Sequence, residues 1–307
     1  MKRSPTNSTI VRSYIKLLLL RANFRIGGWL RPEATVRRAA RLFCTPFASA
    51  RGRALAAPLA GANQGEIEVD GQRIATYTWG DPTNEPYVLF AHGWSSYGLR
   101  FQHWVTAMRE AGHAVVAFDQ HAHGGSSGQR ATLPDFTNTL LAVGQRFGPA
   151  SAVVGHSLGG AAAALALARG LAAERAILIA PAADPIAATQ RFARVIGLAE
   201  HLRRRMVALL EAQTGFSFME QEAHVRAPQI ARPALIVHDL EDRDVPWEEG
   251  ERYARHWATS RLLTTRGLGH NRIADDAGVI EAALRFLRGG EVGERVVSSP
   301  NLPYGLA

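Results

Sequence analysis

The residues of this 307-residue chain that could do chemistry cluster at a few glycine-flanked positions. The sharpest is Gly155-His-Ser157-Leu-Gly159-Gly160, set between an apolar run at 151–155 and an alanine-rich segment suited to a helix. A serine at such a strand-to-helix turn takes a strained backbone, and glycine at 155 and 159 removes the side chains that would collide with it. The Ser157 hydroxyl is then expected above the sheet. The helix from 158 would aim free N–H groups and its positive dipole end at developing negative charge. That chemistry is nucleophilic attack on a carbonyl. A serine hydroxyl is a weak nucleophile near neutral pH, so it needs a base, and the base needs an orienting acid.

Of the eleven histidines, position selects His270, in the glycine-loosened loop Gly267-Leu-Gly269-His270 after a strand-like run at 261–265. His103, His113, His201, His224 and His256 fall on or beside helix-like segments, and His156 is expected to point away across the turn. For the acid, the run 234–238 leads into a loop with Asp239, Glu241, Asp242 and Asp244, which spacing does not separate. Asp184 lies past another strand and is a further candidate. Asp119-Gln-His121-Ala-His123 has residue types that ligate zinc, but no further ligand motif accompanies it. No metal and no cofactor is expected.

These residues need elements to hold them. Segments 66–69 and 72–79 alternate in polarity around Asp70-Gly71, a two-residue hairpin signal. Short apolar runs at 87–91, 114–119, 151–155, 175–180, 234–238 and 261–265 read as buried strands. Helix-like segments around 98–111, 134–147, 158–169, 247–257 and 276–288 alternate with them, which predicts an α/β fold with a mostly parallel sheet flanked by helices. The connection 182–231 is too long for an ordinary αβ loop and is helical in pattern, so it reads as a helical cap inserted between two late strands. Its Arg203–Arg205 run reads as a solvated helix face, and Phe192, Phe216 and Phe218 as an apolar lining or as cap core. The expected organisation is a basic N-terminal helical arm (1–60), a catalytic domain (61–181 and 232–289), the cap (182–231) and a C-terminal tail (290–307).

Five motifs, in order, resemble the α/β-hydrolase superfamily, in particular its cap-bearing serine esterases and lipases, over about 66–289. Phe90-Ala-His92-Gly93-Trp94 resembles the His-Gly-X loop, and Asp119-Gln-His-Ala-His-Gly124-Gly-Ser126 the Asp-x-x-Gly-x-Gly-x-Ser loop. Gly155 to Gly159 resembles the nucleophile elbow, the loop from His238 to Pro246 the acid loop, and Gly269-His270 the base. The resemblance implies Ser157 as nucleophile, Asp242 as orienting acid and His270 as general base, in the chain order usual for this fold. It also implies an oxyanion hole from the backbone N–H groups of Trp94 and Leu158, with His92, Gly93, Gly155 and Gly159 supporting the turns. Trp94 could equally serve as a wall of an acyl pocket. Ala122 and Asp239 depart from the pattern, standing where the family often has glycine.

The reaction so implied is hydrolysis of a small-molecule ester carrying an apolar group. The same triad serves carbon–carbon, thioester or amide hydrolysis and acyl transfer, and the fold also occurs in ligand-binding receptors with little turnover. Serine at 157 argues against the dehalogenase and epoxide-hydrolase branches, which use an aspartate nucleophile. Composition bears on partners. The net charge of +8 is confined to residues 1–60, with twelve Lys/Arg and one acid, Glu33; residues 61–307 carry 23 Lys/Arg and 26 Asp/Glu. A nucleic-acid-binding body is thereby disfavoured. The single cysteine, Cys44, permits no intrachain disulfide and suits a reducing compartment. The expected location is cytoplasmic, with membrane-peripheral contact or organelle targeting through the basic arm as alternatives. Leu17 to Leu20 is too short to span a bilayer. The oligomeric state is not legible. Within the arm, Val36, Ala39, Ala40 and Phe43 fall on one helix face with Arg37, Arg38 and Arg41 opposite.

Overall fold

The computed structural model describes residues 7–296, with side chains from 14 onward. Eight strands run in chain order: β1 (Asn63–Val69), β2 (Gln72–Trp79), β3 (Tyr87–Ala91), β4 (Ala114–Phe118), β5 (Ala150–His156), β6 (Ala173–Ile179), β7 (Ala234–Asp239) and β8 (Ser260–Thr265). The first helices are α1 (Asn7–Leu30), α2 (Pro32–Phe43), α3 (Ala48–Leu55), α4 (Gln102–Glu110), α5 (Leu133–Phe147) and α6 (Leu158–Ala168). They are followed by α7 (Pro185–Ile196), α8 (Glu200–Thr214), α9 (Ala223–Arg226), α10 (Trp247–His256), α11 (Gly269–Arg272) and α12 (Ala277–Leu287).

One sheet contains all eight strands, in the order β1-β2-β4-β3-β5-β6-β7-β8. β1 and β2 form an antiparallel hairpin closed by Asp70 and Gly71, both at positive φ, and β2 pairs antiparallel with β4. From β4 onward every pairing is parallel. The strand runs are apolar throughout because both sheet faces are covered. Leu89, Val116, Val153, Leu178 and Ile236 pack into one layer with residues of α5, α6 and α10. Their neighbours Phe90, Val115, Val154, Ile177 and Val237 pack into the opposite layer with α4 and α12. The period of two sends successive residues to opposite faces.

The chain divides into two compact units. The sheet unit comprises Thr45–Asp184 and the described part of Glu220–Ala307; the other joins the described part of Met1–Cys44 to Pro185–Met219. The boundaries differ from the sequence expectation in a specific way. The arm and the insert, read as separate segments, contribute to one helical unit with its own core of Phe24, Val36, Ala39, Ala40, Ile196, Leu202, Met206 and Leu210. Residues 45–60 and 220–231 belong instead to the sheet unit.

Helix α1 had no clear signature in the sequence because it is apolar on two sides. Its inner side carries the buried Phe24 and Gly28, where a Cβ would sit 2.7 Å from Leu202 Cδ1. Arg203 is a further difference. It is buried, donating to Thr189 Oγ1 at 2.8 Å and to the Glu200 carboxylate at 2.7 Å, while Arg204 and Arg205 remain exposed. Arg204 and Arg205 also meet carboxylates, Glu200 and Glu33, so the contact that sets Arg203 apart is the one with the buried Thr189 hydroxyl.

The tail expected from 290 lies partly outside the described residues. Within them, Val292 is buried and Glu294 exchanges backbone hydrogen bonds with Leu262 of β8, so the chain stays bound to the sheet edge past 289.

Candidate active site

β5 ends at His156 and α6 begins at Leu158, leaving Ser157 alone to make the turn at φ 56° and ψ −122°. That left-handed backbone is costly for a residue with a Cβ and persists where the surroundings over-determine it. The Ser157 N–H donates to Ile179 O at 2.9 Å, and its carbonyl accepts from Gly160 N at 2.9 Å. A Cβ at Gly159 would strike Ala91 O and His92 O, and one at Gly155 would lie 2.5 Å from Gly159 O. Serine is a preferred helix N-cap, yet Ser157 makes no capping bond to α6. Its hydroxyl instead donates to His270 Nε2 at 3.0 Å.

The other side of the imidazole faces Asp242. His270 Nδ1–H donates to Asp242 Oδ2 at 2.7 Å. Asp242 Oδ1 accepts backbone N–H bonds from Asp244 and Val245, both at 2.9 Å, so the loop itself orients the carboxylate. Burial pushes the Asp242 carboxyl up, but hydrogen bonds from His238, His270 and the Val245 N–H outweigh burial and hold it well below the usual carboxylate range. A carboxylate held in its ionised form, an imidazole and a serine hydroxyl therefore stand in line.

Asp239, the competing acid, has another task. Its Oδ2 accepts from Thr265 Oγ1 at 2.7 Å and Leu268 N at 3.0 Å, and its Oδ1 from Glu241 N at 3.0 Å. It ties the acid loop to the loop that carries His270. Asp184 pairs with Arg252 at 3.0 Å. Glu241 and Asp244 belong to the same loop, with Asp244 contributing its N–H to Asp242.

The loops after β3 and β4 are pinned together by two buried histidines. His92 Nε2 accepts from Gln120 N at 2.9 Å, and its Nδ1–H donates to Gly93 O at 2.7 Å. Because a trans peptide points its C=O and N–H in opposite directions, anchoring Gly93 O also sets the direction of the Trp94 N–H. A Cβ at Gly93 would lie 2.8 Å from Ser157 Cβ, so only glycine lets this loop approach Ser157. His123 Nε2 accepts from Ser95 N at 3.1 Å and its Nδ1–H donates to His121 O at 2.8 Å. Burial pushes both His92 and His123 down to about 3, which keeps them neutral. Trp94 stacks on Phe136 and meets His123 edge-on. Leu158 opens α6, where the first-turn N–H groups have no intrahelical acceptor.

The zinc-like cluster is accounted for by the same loops. Asp119 accepts from Gly98 N and Gly125 N, both at 2.7 Å, and from Tyr77 OH at 2.9 Å. Ala122 adopts φ 64°, the conformation for which glycine is the usual choice.

Sequence reasoning missed two histidines. His156 does not point away: its Nε2–H donates to His270 O at 2.8 Å, its Nδ1 accepts from Arg100 Nη1 at 2.9 Å, and its ring lies 4.8 Å from that of His270. His238, wholly buried, donates from Nε2 to Val245 O at 3.0 Å and lies 3.5 Å from Asp242 Oδ2. Both contacts arise between residues separated by turns or by long stretches of chain, and no local pattern announces them.

Two families match this chain: one described as "Serine aminopeptidase, S33" over residues 82–227, and one described as "TAP-like protein" over 212–299. A monoacylglycerol lipase of Mycolicibacterium smegmatis is 33% identical over 102 residues, covering 30% of this chain and 36% of the relative. Epoxide hydrolase A of Mycobacterium tuberculosis is 32% identical over 98 residues, 30% of each protein. The chain thus matches about a third of the length of these curated relatives. Among solved structures, mouse alpha/beta hydrolase domain-containing protein 10 has a TM-score of 0.58 at 20% identity, over 74% of this chain and 98% of that one. A membrane phospholipase A described as a bacterial virulence factor has a TM-score of 0.56 at 20% identity, over 91% and 98%. At these identities the likeness is one of fold. Since the family matches run together from 82 to 299 and the sheet is shared with these hydrolases, the chain belongs to the α/β-hydrolase superfamily.

Proposed function

We propose that the chain is a serine hydrolase that cleaves a carboxylic ester bearing an apolar group, through an acyl-enzyme on Ser157. The observation that carries this reading is the unbroken line from Ser157 Oγ through His270 to Asp242, at 3.0 and 2.7 Å. His270 Nε2 takes the hydroxyl proton as Oγ attacks the ester carbonyl. Asp242 keeps Nδ1–H in place and stabilises the imidazolium that forms. The N–H groups of Trp94 and Leu158 receive the tetrahedral oxyanion. Two such donors are what acyl transfer needs, and losing one typically costs about 10²–10³ in rate. The imidazolium then protonates the leaving alcohol. Water, activated by the same imidazole, releases the acid and restores Ser157.

An ester of lipid type is favoured by the names of similar proteins, a monoacylglycerol lipase and a membrane phospholipase A. The similarity to an epoxide hydrolase does not change the choice, because epoxide opening in that branch uses an aspartate where this chain has Ser157. Steady-state hydrolysis of p-nitrophenyl esters from acetate to palmitate, with Ser157→Ala alongside, tests the proposal. Turnover that rises with acyl length and disappears in the variant is expected. Full activity in the variant would reject Ser157 as nucleophile.

A further inference from the structure

The helical unit presents a surface that its own packing does not explain. Along α1, Ile15, Leu19, Ala22, Ile26 and Trp29 recur at helical spacing and are all exposed. Leu19 is 65% and Trp29 84% exposed. They lie opposite Phe24 and Gly28, which face the unit's core, so the helix has one apolar side for the fold and a second left open. Isolated exposed apolar residues are unremarked on protein surfaces, but a stripe along one helix face marks an interaction surface.

A second, independent feature borders that stripe. A cleft of about 810 Å³ between α1 and the turn joining α7 to α8 includes Arg21, Arg25, Trp29, Arg194, His201 and Arg205, and no carboxylate is among its lining residues. Arg21 is built in, donating to Arg194 O at 2.9 Å and Val195 O at 3.1 Å; Arg205 pairs with Glu33. Arg25 and Arg194 are exposed on its rim. The segments that form this unit carry 15 Lys/Arg against three acids, Glu33, Glu200 and Glu211, a net +12.

We infer that this face is a docking surface for an anionic lipid bilayer. The outer stripe of α1 would enter the acyl boundary with Trp29 at the interface, while the cleft takes an anionic headgroup. Among the described residues no helix is long and apolar enough to cross a membrane. Lys16, Arg21 and Arg25 would be stranded in hydrocarbon by a spanning orientation, whereas a helix lying in the interface plane keeps them at headgroup level. Apolar stripe and cationic rim together select a negatively charged membrane over a neutral one and over a soluble protein partner, which would need only the first.

Sedimentation of the full chain with vesicles tests this. Phosphatidylcholine alone is compared with phosphatidylcholine containing about 30 mol% phosphatidylglycerol, in about 0.1 M salt. Wild type is expected to bind the anionic vesicles at least about tenfold more tightly. Leu19→Glu with Ile26→Glu, both exposed positions, should lose at least about tenfold of that binding with an unchanged circular dichroism melt. Arg25→Gln and Arg194→Gln should each lose about fivefold, and Ser157→Ala nothing, which separates this surface from the proposed chemistry. Should the double variant misfold, Trp29 supplies the second readout: emission quenched by brominated acyl chains in wild type and less so in Trp29→Phe. Equal sedimentation of wild type and folded double variant, or equal binding to both vesicle types, would overturn the inference. So would loss of a dimer in sedimentation velocity, or phosphate binding, without vesicle association.

Discussion

The two units of this chain solve opposite problems. The sheet unit carries Ser157, Asp242 and His270, and its segments hold 20 Lys/Arg against 24 Asp/Glu, a slight negative excess. The helical unit carries none of those residues and has a net +12. In the sheet unit, Asp119, Asp239 and Asp242 turn inward and donors meet both oxygens of each carboxylate. In the helical unit most of the described arginines turn outward, while Arg203 turns inward to Thr189 and Glu200. The overall charge of +8 is therefore a property of a surface, with little bearing on the proposed chemistry. One region is organised to position groups and the other to present them.

The largest expected effect concerns two acids three positions apart. Asp242→Asn should lower ester turnover by about 10³–10⁴ with folding intact, since the imidazole loses the acceptor that holds its tautomer. Asp239→Asn should cost activity less than about tenfold but about 1–3 kcal/mol of stability, because it weakens bonds to Thr265 and Leu268. Chemical denaturation read beside kinetics separates the two, and equal kinetic losses would break the distinction.

In the helical unit, Phe24→Ala should destabilise the fold around α1 by about 3–5 kcal/mol, as buried aromatic truncations do. Hydrogen exchange should place the loss in α1, α2, α7 and α8, and protection lost equally in the sheet strands would contradict a separate core.

A pH dependence is expected from the sheet unit. His92 and His123 are pushed down to about 3 by burial, whereas in the unfolded chain each titrates near 6.5. Between roughly pH 6.5 and pH 3 the unfolded state binds more protons, so stability falls with falling pH at up to about 1.4 kcal/mol per unit for each histidine. Urea unfolding of wild type and His123→Gln at pH 7 and pH 5 should show the shallower slope in the variant. The smallest effect is at the presenting surface: Leu19→Ala should change stability by less than about 0.5 kcal/mol, against about 2–5 kcal/mol for Leu202→Ala in the core.

How much could be read in advance follows the same division. Strands such as Tyr87–Ala91 and Ala234–Asp239 were legible because burial on both faces demands an unbroken apolar run. Ser157 was legible because its backbone needs glycine on either side. Asp242 and Asp239 could not be separated by spacing, since Asp239 closes β7 and Asp242 follows three residues on, and the two differ in the groups that meet them. The role of His156 beside His270 depends on a contact between residues 114 positions apart. Residues 1–60 read as a helical arm, but α1 itself was not delimited within it, because an apolar stripe on each side cancels the amphipathic signature that made α2 visible. The outer stripe that hid the helix is the one now assigned to a membrane.

Covalent labelling with a fluorophosphonate tests the central claim most directly, because it requires an activated serine and reports its position. Intact mass followed by peptide mapping should find one adduct per chain, on Ser157, absent in Ser157→Ala and slowed at least about a hundredfold in His270→Ala. An unlabelled wild type, or an adduct on another residue that persists in Ser157→Ala, would contradict the account.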